Sequence, residues 1–255
     1  MRLVDVHIHL DFPEYKKDID NLIKVQEENN VKAIIANGVN SKSNREVLKL
    51  QEKFKVVKPA LGLYPTDVHN MSFEEIDEEI DFIRKAKPIA LGEVGLDNKY
   101  LDEGKTAIQK KKQLYAFEKF ISLSEKTKLP LIIHSRKAEL EIHDLLESSK
   151  LKNPVLHCFM GKKKLMQKLS DKGYNFSILP IINKSQQLQE IVNYTNLRQL
   201  LTETDGPYMS PVQGKVSEPR YVEFAIKKIA ELKKITVEEA SNIVFMNYQS
   251  TFKNQ

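Results

Sequence analysis

Short apolar runs alternate with longer amphipathic stretches along the whole chain. Eight apolar runs predict strands, at 3–10, 31–39, 56–63, 88–96, 129–135, 154–159, 174–179 and 199–204. Helical patterns follow them at 15–29, 44–53, 72–86, 105–126, 138–148, 163–172 and 186–194, and two closing helices are predicted at 219–233 and 237–251. The runs are continuously apolar, a pattern typical of strands that are buried on both faces.

Eight such β/α units in 255 residues fit a closed barrel. An open, doubly wound sheet is the alternative, and it would place a Gly-rich phosphate loop after the first strand. The residues found there are HIHLDFP, from His7 to Pro13. We therefore predict an α/β protein with one domain over 1–255, a TIM-type (β/α)8 barrel with an extra C-terminal helix.

Composition narrows the setting and the possible partners. The single cysteine, Cys158, excludes a disulfide scaffold, which favours a reducing, cytoplasmic location. The longest stretch without charge, 173–183, is shorter than the ~20 residues of a membrane span. Asp5 and His7 interrupt any signal-peptide core. The net charge of +5 is compatible with an anionic substrate such as nucleic acid, although a lysine-rich protein without such a partner has the same charge.

Polar side chains stand at the carboxyl ends of the predicted strands. They are His7 and His9 on the first, Glu93 and Asp97 on the fourth, His134 on the fifth, His157 on the sixth, and Glu203 and Asp205 on the eighth. In a barrel these ends converge on the face that carries the active site. Imidazole and carboxylate groups bind zinc, manganese and related divalent ions. The sequence therefore indicates a metal centre at this face.

Three other reactive side chains are given different roles. His69 lies in a loop on the active face and is a candidate for substrate binding. His143 lies in the middle of a predicted helix, where we expect partial exposure. Cys158 points away from its neighbour His157 and is predicted to be a small apolar side chain rather than a nucleophile.

Five stretches resemble the signature stretches of the TatD-type metal-dependent deoxyribonucleases, in the same order. They are 5–10 (DVHIHL), 90–97 (ALGEVGLD), 129–136 (LPLIIHSR), 157–161 (HCFMG) and 202–207 (TETDGP), joined by 218–221 (EPRY) and Asn247. The resemblance spans almost the whole chain and implies an amidohydrolase-like barrel. It implies metal ligands at His7, His9, Glu93, His134, His157 and Asp205.

One stretch departs from the family pattern. Relatives commonly have Gly-x-His-Pro-His after the third strand, whereas this chain has Gly62-Leu-Tyr64-Pro-Thr66. The six implied ligands are unaffected. The substrate contact that those histidines would supply is changed, and Tyr64 becomes a candidate substrate contact.

The resemblance implies a 3′→5′ exonuclease on single-stranded DNA that uses two divalent ions, magnesium or manganese, with zinc also possible. Two ions can activate a water and neutralise the phosphoryl oxygens. We expect Glu93 to bridge them, with His7, His9 and Asp205 on one ion and His134 and His157 on the other. Asp205 is also placed to accept the proton of the water. Candidate phosphate contacts are Arg136, Lys137, Lys162 and Arg220, and Glu203 is a candidate for orienting a ligand histidine.

Two other functions compete with this prediction. The same centre could cleave an ester or amide, for example a D-amino acid on a mischarged tRNA, because barrels host many chemistries. A non-catalytic binding protein is the second, but a degenerate site should have lost ligands and all six are present. The sequence shows no membrane segment and no obligatory protein partner.

Overall fold

The computed structural model describes residues 1–152 and 154–252. Eight parallel strands pair in chain order to form one sheet: β1 Leu3–Ile8, β2 Val31–Asn37, β3 Val57–Leu61, β4 Ala90–Asp97, β5 Leu131–Arg136, β6 Val155–Leu156, β7 Asn175–Ile178 and β8 Leu200–Thr202. The α-helices of the described residues are α1 Pro13–Lys16, α2 Ile19–Glu28, α3 Ser41–Lys53, α4 Phe73–Ala86, α5 Thr106–Thr127, α6 Glu139–Glu147, α7 Lys163–Asp171, α8 Gln186–Tyr194, α9 Val222–Lys233 and α10 Val237–Phe252.

The first and last strands close the sheet into a barrel. Ile8 forms a parallel bridge with Gly206, and the backbone N–H of Asp205 donates to the carbonyl of His7 at 2.9 Å. Closer to the amino ends of the two strands, the Thr202 hydroxyl donates to the carbonyl of Val4 at 2.7 Å. The predicted (β/α)8 fold is therefore confirmed. The predicted domain of 1–255 also includes 153 and 253–255, which lie outside the described residues.

Most helix boundaries follow the predictions. The Ser72 hydroxyl caps α4 in a capping box with Glu75. The predicted helix at 15–29 is wrong in one respect. The helix is interrupted between Lys16 and Ile19, which divides it into α1 and α2.

The strands are shorter than the apolar runs that predicted them. The run at 154–159 contributes only Val155–Leu156 to the sheet, and Phe159 beyond it is buried without strand pairing. Apolar residues past a strand end are buried under loops, so an apolar run marks burial and does not mark where backbone pairing stops.

The barrel has an inner core and a larger outer core, which joins strand residues such as Leu91 to helix residues such as Phe120. The inner side chains of the strands are Val4, Val6, Ala33, Ile35, Ala60, Ala90, Ile132, Val155 and Leu201. Tyr248 and Phe252 of α10 pack against this inner cluster. The extra C-terminal helix therefore closes the barrel end that lies opposite the strand carboxyl ends.

Among the described residues, no helix is both long enough and apolar enough to cross a membrane.

We expect Phe252→Ala to lower the free energy of unfolding by about 3–5 kcal/mol, because it empties a buried aromatic position under the barrel. Phe252 is 2% exposed. Met246→Ala is the matched control on the same helix, since Met246 is 64% exposed, and it should change stability by about 0.5 kcal/mol or less. Urea denaturation of the two variants followed by circular dichroism measures both values. Equal stability of the two variants would show that α10 does not support the barrel core.

Candidate metal centre

Six side chains from five strand ends meet at the carboxyl face of the barrel. They are His7 and His9 from β1, Glu93 from β4, His134 from β5, and His157 and Asp205 from the segments after β6 and β8. Every one of these side chains is at most 15% exposed. The six residues that the family resemblance implies as ligands are thus brought together.

The strands β1 and β4 leave regular pairing where they deliver their ligands. In β1 the register shifts between Asp5 and Ile8, so Val6 belongs to the inner core and Ile8 to the outer core, with His7 between them. In β4 the register shifts between Leu91 and Val94, around Glu93. These irregularities turn His7 and Glu93 toward the mouth, and strict alternation along the strand does not predict them.

A close backbone approach supports the second of these positions. A Cβ placed on Gly62 would lie 2.6 Å from the carbonyl oxygen of Glu93 and from the backbone carbon of Gly92. Glycine at this position therefore lets the segment after β3 pass directly against the strand end that carries Glu93.

Four donor atoms form the first group. The Nε2 atoms of His7 and His9 lie 3.4 Å apart, and they lie 3.4 and 3.5 Å from Oε2 of Glu93. Oδ1 of Asp205 is 3.7 Å from both Nε2 atoms. Ligands at ~2.1 Å around a tetrahedral ion are spaced by roughly 3.4 Å. The spacing and the chemistry of this group therefore fit a divalent cation.

The other oxygen of Glu93 faces a second group. Its Oε1 atom lies 2.7 Å from Nδ1 of His134 and 3.6 Å from Nε2 of His157. One carboxylate therefore stands between two sets of histidines, with one oxygen toward each set. This arrangement could hold two neighbouring cations that share Glu93.

Three of the four histidines have a fixed acceptor on the ring nitrogen remote from Glu93. Nδ1 of His9 lies 3.0 Å from the carbonyl of Asn37, and Nδ1 of His157 lies 2.8 Å from Glu203. Nε2 of His134 lies 3.2 Å from Asp97. A ring that donates on that side presents a lone pair on the other nitrogen, as a metal ligand must.

The Glu203 carboxylate is itself held by several donors. Besides His157 it accepts from the backbone N–H of Cys158 at 2.8 Å and from the Ser177 hydroxyl at 2.6 Å. The structure therefore places Glu203 beside His157, a candidate ligand, and its role in orienting that ring stays a prediction.

Asp97 and the Asn37 carbonyl have contacts that sequence reasoning did not assign. Asp97 is the last residue of the strand that carries Glu93, and this position is the signal in the sequence that points to it. A backbone carbonyl such as that of Asn37 leaves no signal in the sequence, because every residue has one.

The charges of the centre compensate one another. Burial alone would raise the pKa of Glu93, but the neighbouring His7 and His134 hold it well below its usual value. Burial lowers the pKa of His157, but the carboxylates of Glu203 and Asp205 outweigh it and raise that pKa to about 10, so a cation that binds at Nε2 would displace a proton. A buried cluster of this kind is stable only when its acids and its cations are paired.

The candidate substrate contacts fall into different environments. The Tyr64 hydroxyl lies 3.2 Å from Asp97 and 3.4 Å from Nε2 of His134, so it contacts the partner of a candidate ligand. Arg136, at the end of β5, and Lys162, which precedes α7, are exposed. Arg220 is paired with Glu218 at 2.9 Å.

The other two histidines are not among the six candidate ligands. His69 is bound to the Gln113 side chain at 2.8 Å. The expected exposure of His143 is wrong, because it is 4% exposed: it lies on the inward face of α6, and its Nδ1 atom contacts Asp144 at 2.9 Å. Cys158 packs partly buried against the outer core.

A parallel (β/α)8 barrel with four histidines and two carboxylates at its mouth defines the class of metal-dependent hydrolase barrels. The family model described as "TatD related DNase" matches residues 4–253. The chain therefore belongs to the TatD-related DNase family. The predicted metal-dependent hydrolase and the TatD resemblance are both confirmed.

Individual relatives are similar over almost their full length. An uncharacterized metal-dependent hydrolase of Methanocaldococcus jannaschii, MJ1582, is 29% identical and covers 100% of this chain and 98% of its own. The human deoxyribonuclease TATDN3 is 30% identical over 98% of this chain and 94% of its own. The crystal structure of the Escherichia coli TatD homologue YJJV superposes with a TM-score of 0.88 at 24% identity, covering 100% and 99% of the two chains, and shares the fold.

We expect Glu203→Gln to weaken divalent-metal affinity by about 10- to 100-fold, because an amide holds the His157 ring less firmly than a carboxylate does. Ser177→Ala is the matched control, since it removes only one donor from the same carboxylate and should have a smaller effect. Competition titration with a metal-sensitive dye measures the affinity, and circular dichroism checks the fold. A Glu203→Gln protein with the affinity of the wild type would show that this carboxylate does not orient a ligand.

Proposed function

We propose that this chain is a phosphodiester hydrolase that acts on single-stranded DNA from the 3′ end. The position of Glu93 between two sets of histidines carries the proposal, because it fits a pair of divalent ions and this is a common arrangement in nucleases. The name of the human relative, a deoxyribonuclease, supports the same substrate class. The single cysteine favours a cytoplasmic location.

Six residues would hold the metal pair. His7, His9 and Asp205 would bind one ion. His134 and His157 would bind the other, and Glu93 would contact both. Magnesium or manganese would be the preferred ions and zinc another occupant, and a bound pair would lower the pKa of water and stabilise the charge on the transferred phosphoryl group.

Asp205 is the candidate acceptor for the proton of the attacking water. Burial would raise its pKa, but His157 and His9 outweigh burial and hold the pKa below its usual value. An ionised carboxylate at the mouth can accept a proton and pass it to the leaving alkoxide. The other carboxylate of the centre, Glu93, faces histidines with both of its oxygens and is less suited to this role.

The candidates for phosphate recognition are exposed, positively charged side chains near the strand ends. Arg136 is the last residue of β5, two residues after His134, and Lys162 lies in the segment between β6 and α7 that also contains His157. Their contacts would position the backbone without reading base sequence. Arg220 is a weaker candidate because Glu218 already neutralises it.

The proposal is tested with 5′-labelled single-stranded DNA and purified protein in magnesium, manganese or chelator. A ladder that shortens from the 3′ end only with metal supports it. A parallel assay with D-aminoacyl-tRNA tests the competing ester hydrolase. Release of the amino acid without any DNA cleavage would overturn the nuclease proposal.

Glu93→Ala should abolish metal-dependent cleavage, with a loss of at least about 10³-fold, because both sets of donors lose their shared carboxylate. The fold should persist. Glu231→Ala is the control: Glu231 is 66% exposed and lies on α9, away from the centre. Cleavage rates and the amount of bound metal per chain are measured for the wild type and both variants. Turnover like that of the wild type by a folded Glu93→Ala protein would refute this role for Glu93.

A further inference from the structure

Two aromatic side chains form a corner beside the metal centre. The ring of Phe12 stacks on the ring of His9 with centroids 4.8 Å apart and an angle of 20° between planes. The ring of Tyr208 meets Phe12 edge to face at 6.3 Å and 85°. We call this pair the Phe12–Tyr208 corner.

The corner is tied to the candidate ligands by two equivalent turns. The backbone N–H of Phe12 donates to the carbonyl of His9 at 3.1 Å, and that of Tyr208 donates to the carbonyl of Asp205 at 3.1 Å. In such a turn the first and fourth Cα atoms lie within about 7 Å. Each aromatic residue is therefore held at a short, fixed distance from the backbone of a candidate ligand.

A further backbone bond holds the two turns side by side. The N–H of His9 donates to the carbonyl of Gly206 at 2.9 Å, next to the bridge between Ile8 and Gly206. The corner is thus part of the closure between β1 and β8, which also carries His9 and Asp205.

Tyr208 is exposed although it is anchored in this way. It is 55% exposed, and its hydroxyl forms no hydrogen bond within residues 1–152 and 154–252. Its neighbour Met209 is 43% exposed. The ring of Tyr208 adds no buried core contact and no polar bond, so its position at the mouth is not explained by stability.

We propose that the Phe12–Tyr208 corner binds a nucleobase of the substrate, with the base stacked on Tyr208, next to the phosphodiester that is cleaved. This inference rests on the proposed nuclease function. Stacking on aromatic rings is a general mode of single-strand binding and tolerates any base sequence, because every base has a π face.

One cation of the mouth, Arg136, lies on the opposite side. The guanidinium of Arg136 is 5.1 Å from the ring of Tyr100, at the ends of β5 and β4. The boundary between β4 and β5 is four strands away from the boundary between β8 and β1 in this eight-stranded order. A DNA strand whose phosphates are bound at Arg136 would cross the candidate metal centre before one of its bases reaches Tyr208.

Tyr208 is the residue to change, because Phe12 contacts His9 and its loss would disturb a candidate ligand. Tyr208→Ala removes the exposed ring, and Tyr208→Phe keeps it. Tyr194→Ala is the matched control: Tyr194 is 44% exposed at the carboxyl end of α8, away from the strand carboxyl ends. Bound metal per chain should be the same in all of these proteins.

The experiment compares cleavage of a thymidine oligonucleotide with cleavage of an oligomer of the same length made of abasic tetrahydrofuran units. Wild type, Tyr208→Phe and Tyr194→Ala should prefer the thymidine substrate. In Tyr208→Ala this preference in kcat/KM should fall by about 5-fold or more, through a raised KM, with little change for the abasic oligomer.

Two results would overturn the inference, and they differ from failure of the nuclease proposal. One is an unchanged thymidine preference in Tyr208→Ala. The other is an equal loss on both substrates, which would indicate a disturbed centre instead of a lost stacking contact. If the wild type cleaves neither substrate with metal, the nuclease proposal itself fails, and the stacking inference fails with it.

Discussion

The Glu93 carboxylate is the interaction on which the rest of the site depends. Its two oxygens face different histidines, His7 and His9 on one side and His134 and His157 on the other. A buried carboxylate is costly unless its charge is compensated. Here the neighbouring His7 and His134 hold the pKa of Glu93 well below its usual value in spite of burial. Removing this one group would leave both sets of histidines without their shared partner.

The barrel places the candidate ligands at one face, and the groups that contact the histidine rings from behind determine how those rings are oriented. Parallel strands in a closed sheet end on one face, so residues far apart in the chain become neighbours there. The carbonyl of Asn37 and the carboxylates of Asp97 and Glu203 then fix the histidine rings. Partners that fix the orientation of ligand side chains in this way strengthen metal binding. The same face carries the exposed Tyr208 ring.

The sequence allowed the fold and the main side chains of the site to be predicted, for a physical reason. Continuous apolar runs identify buried parallel strands, and a polar residue at the end of such a run has few positions other than the mouth. His134 and His157 follow from this rule alone. The orientations of the His7 and Glu93 side chains do not follow from this rule alone. The registers of β1 and β4 shift beside them, so side chains do not alternate regularly between the two faces there.

Other features depended on tertiary contacts that a pattern does not encode. His143 was expected to be partly exposed and is buried, because helix periodicity does not state how deep each face packs. The strand lengths were overestimated since burial continues past the last backbone pair. The Phe12–Tyr208 corner joins two residues that are distant in the chain, and only closure between β1 and β8 brings them together.

The central claim is that two cations share Glu93, and anomalous diffraction from crystals soaked in manganese tests it most directly. The account predicts two peaks about 3.5–4 Å apart, one beside His7 and His9 and one beside His134 and His157, with a Glu93 oxygen at each. A single peak at full occupancy, or a pair of peaks in which Glu93 contacts only one ion, would contradict it.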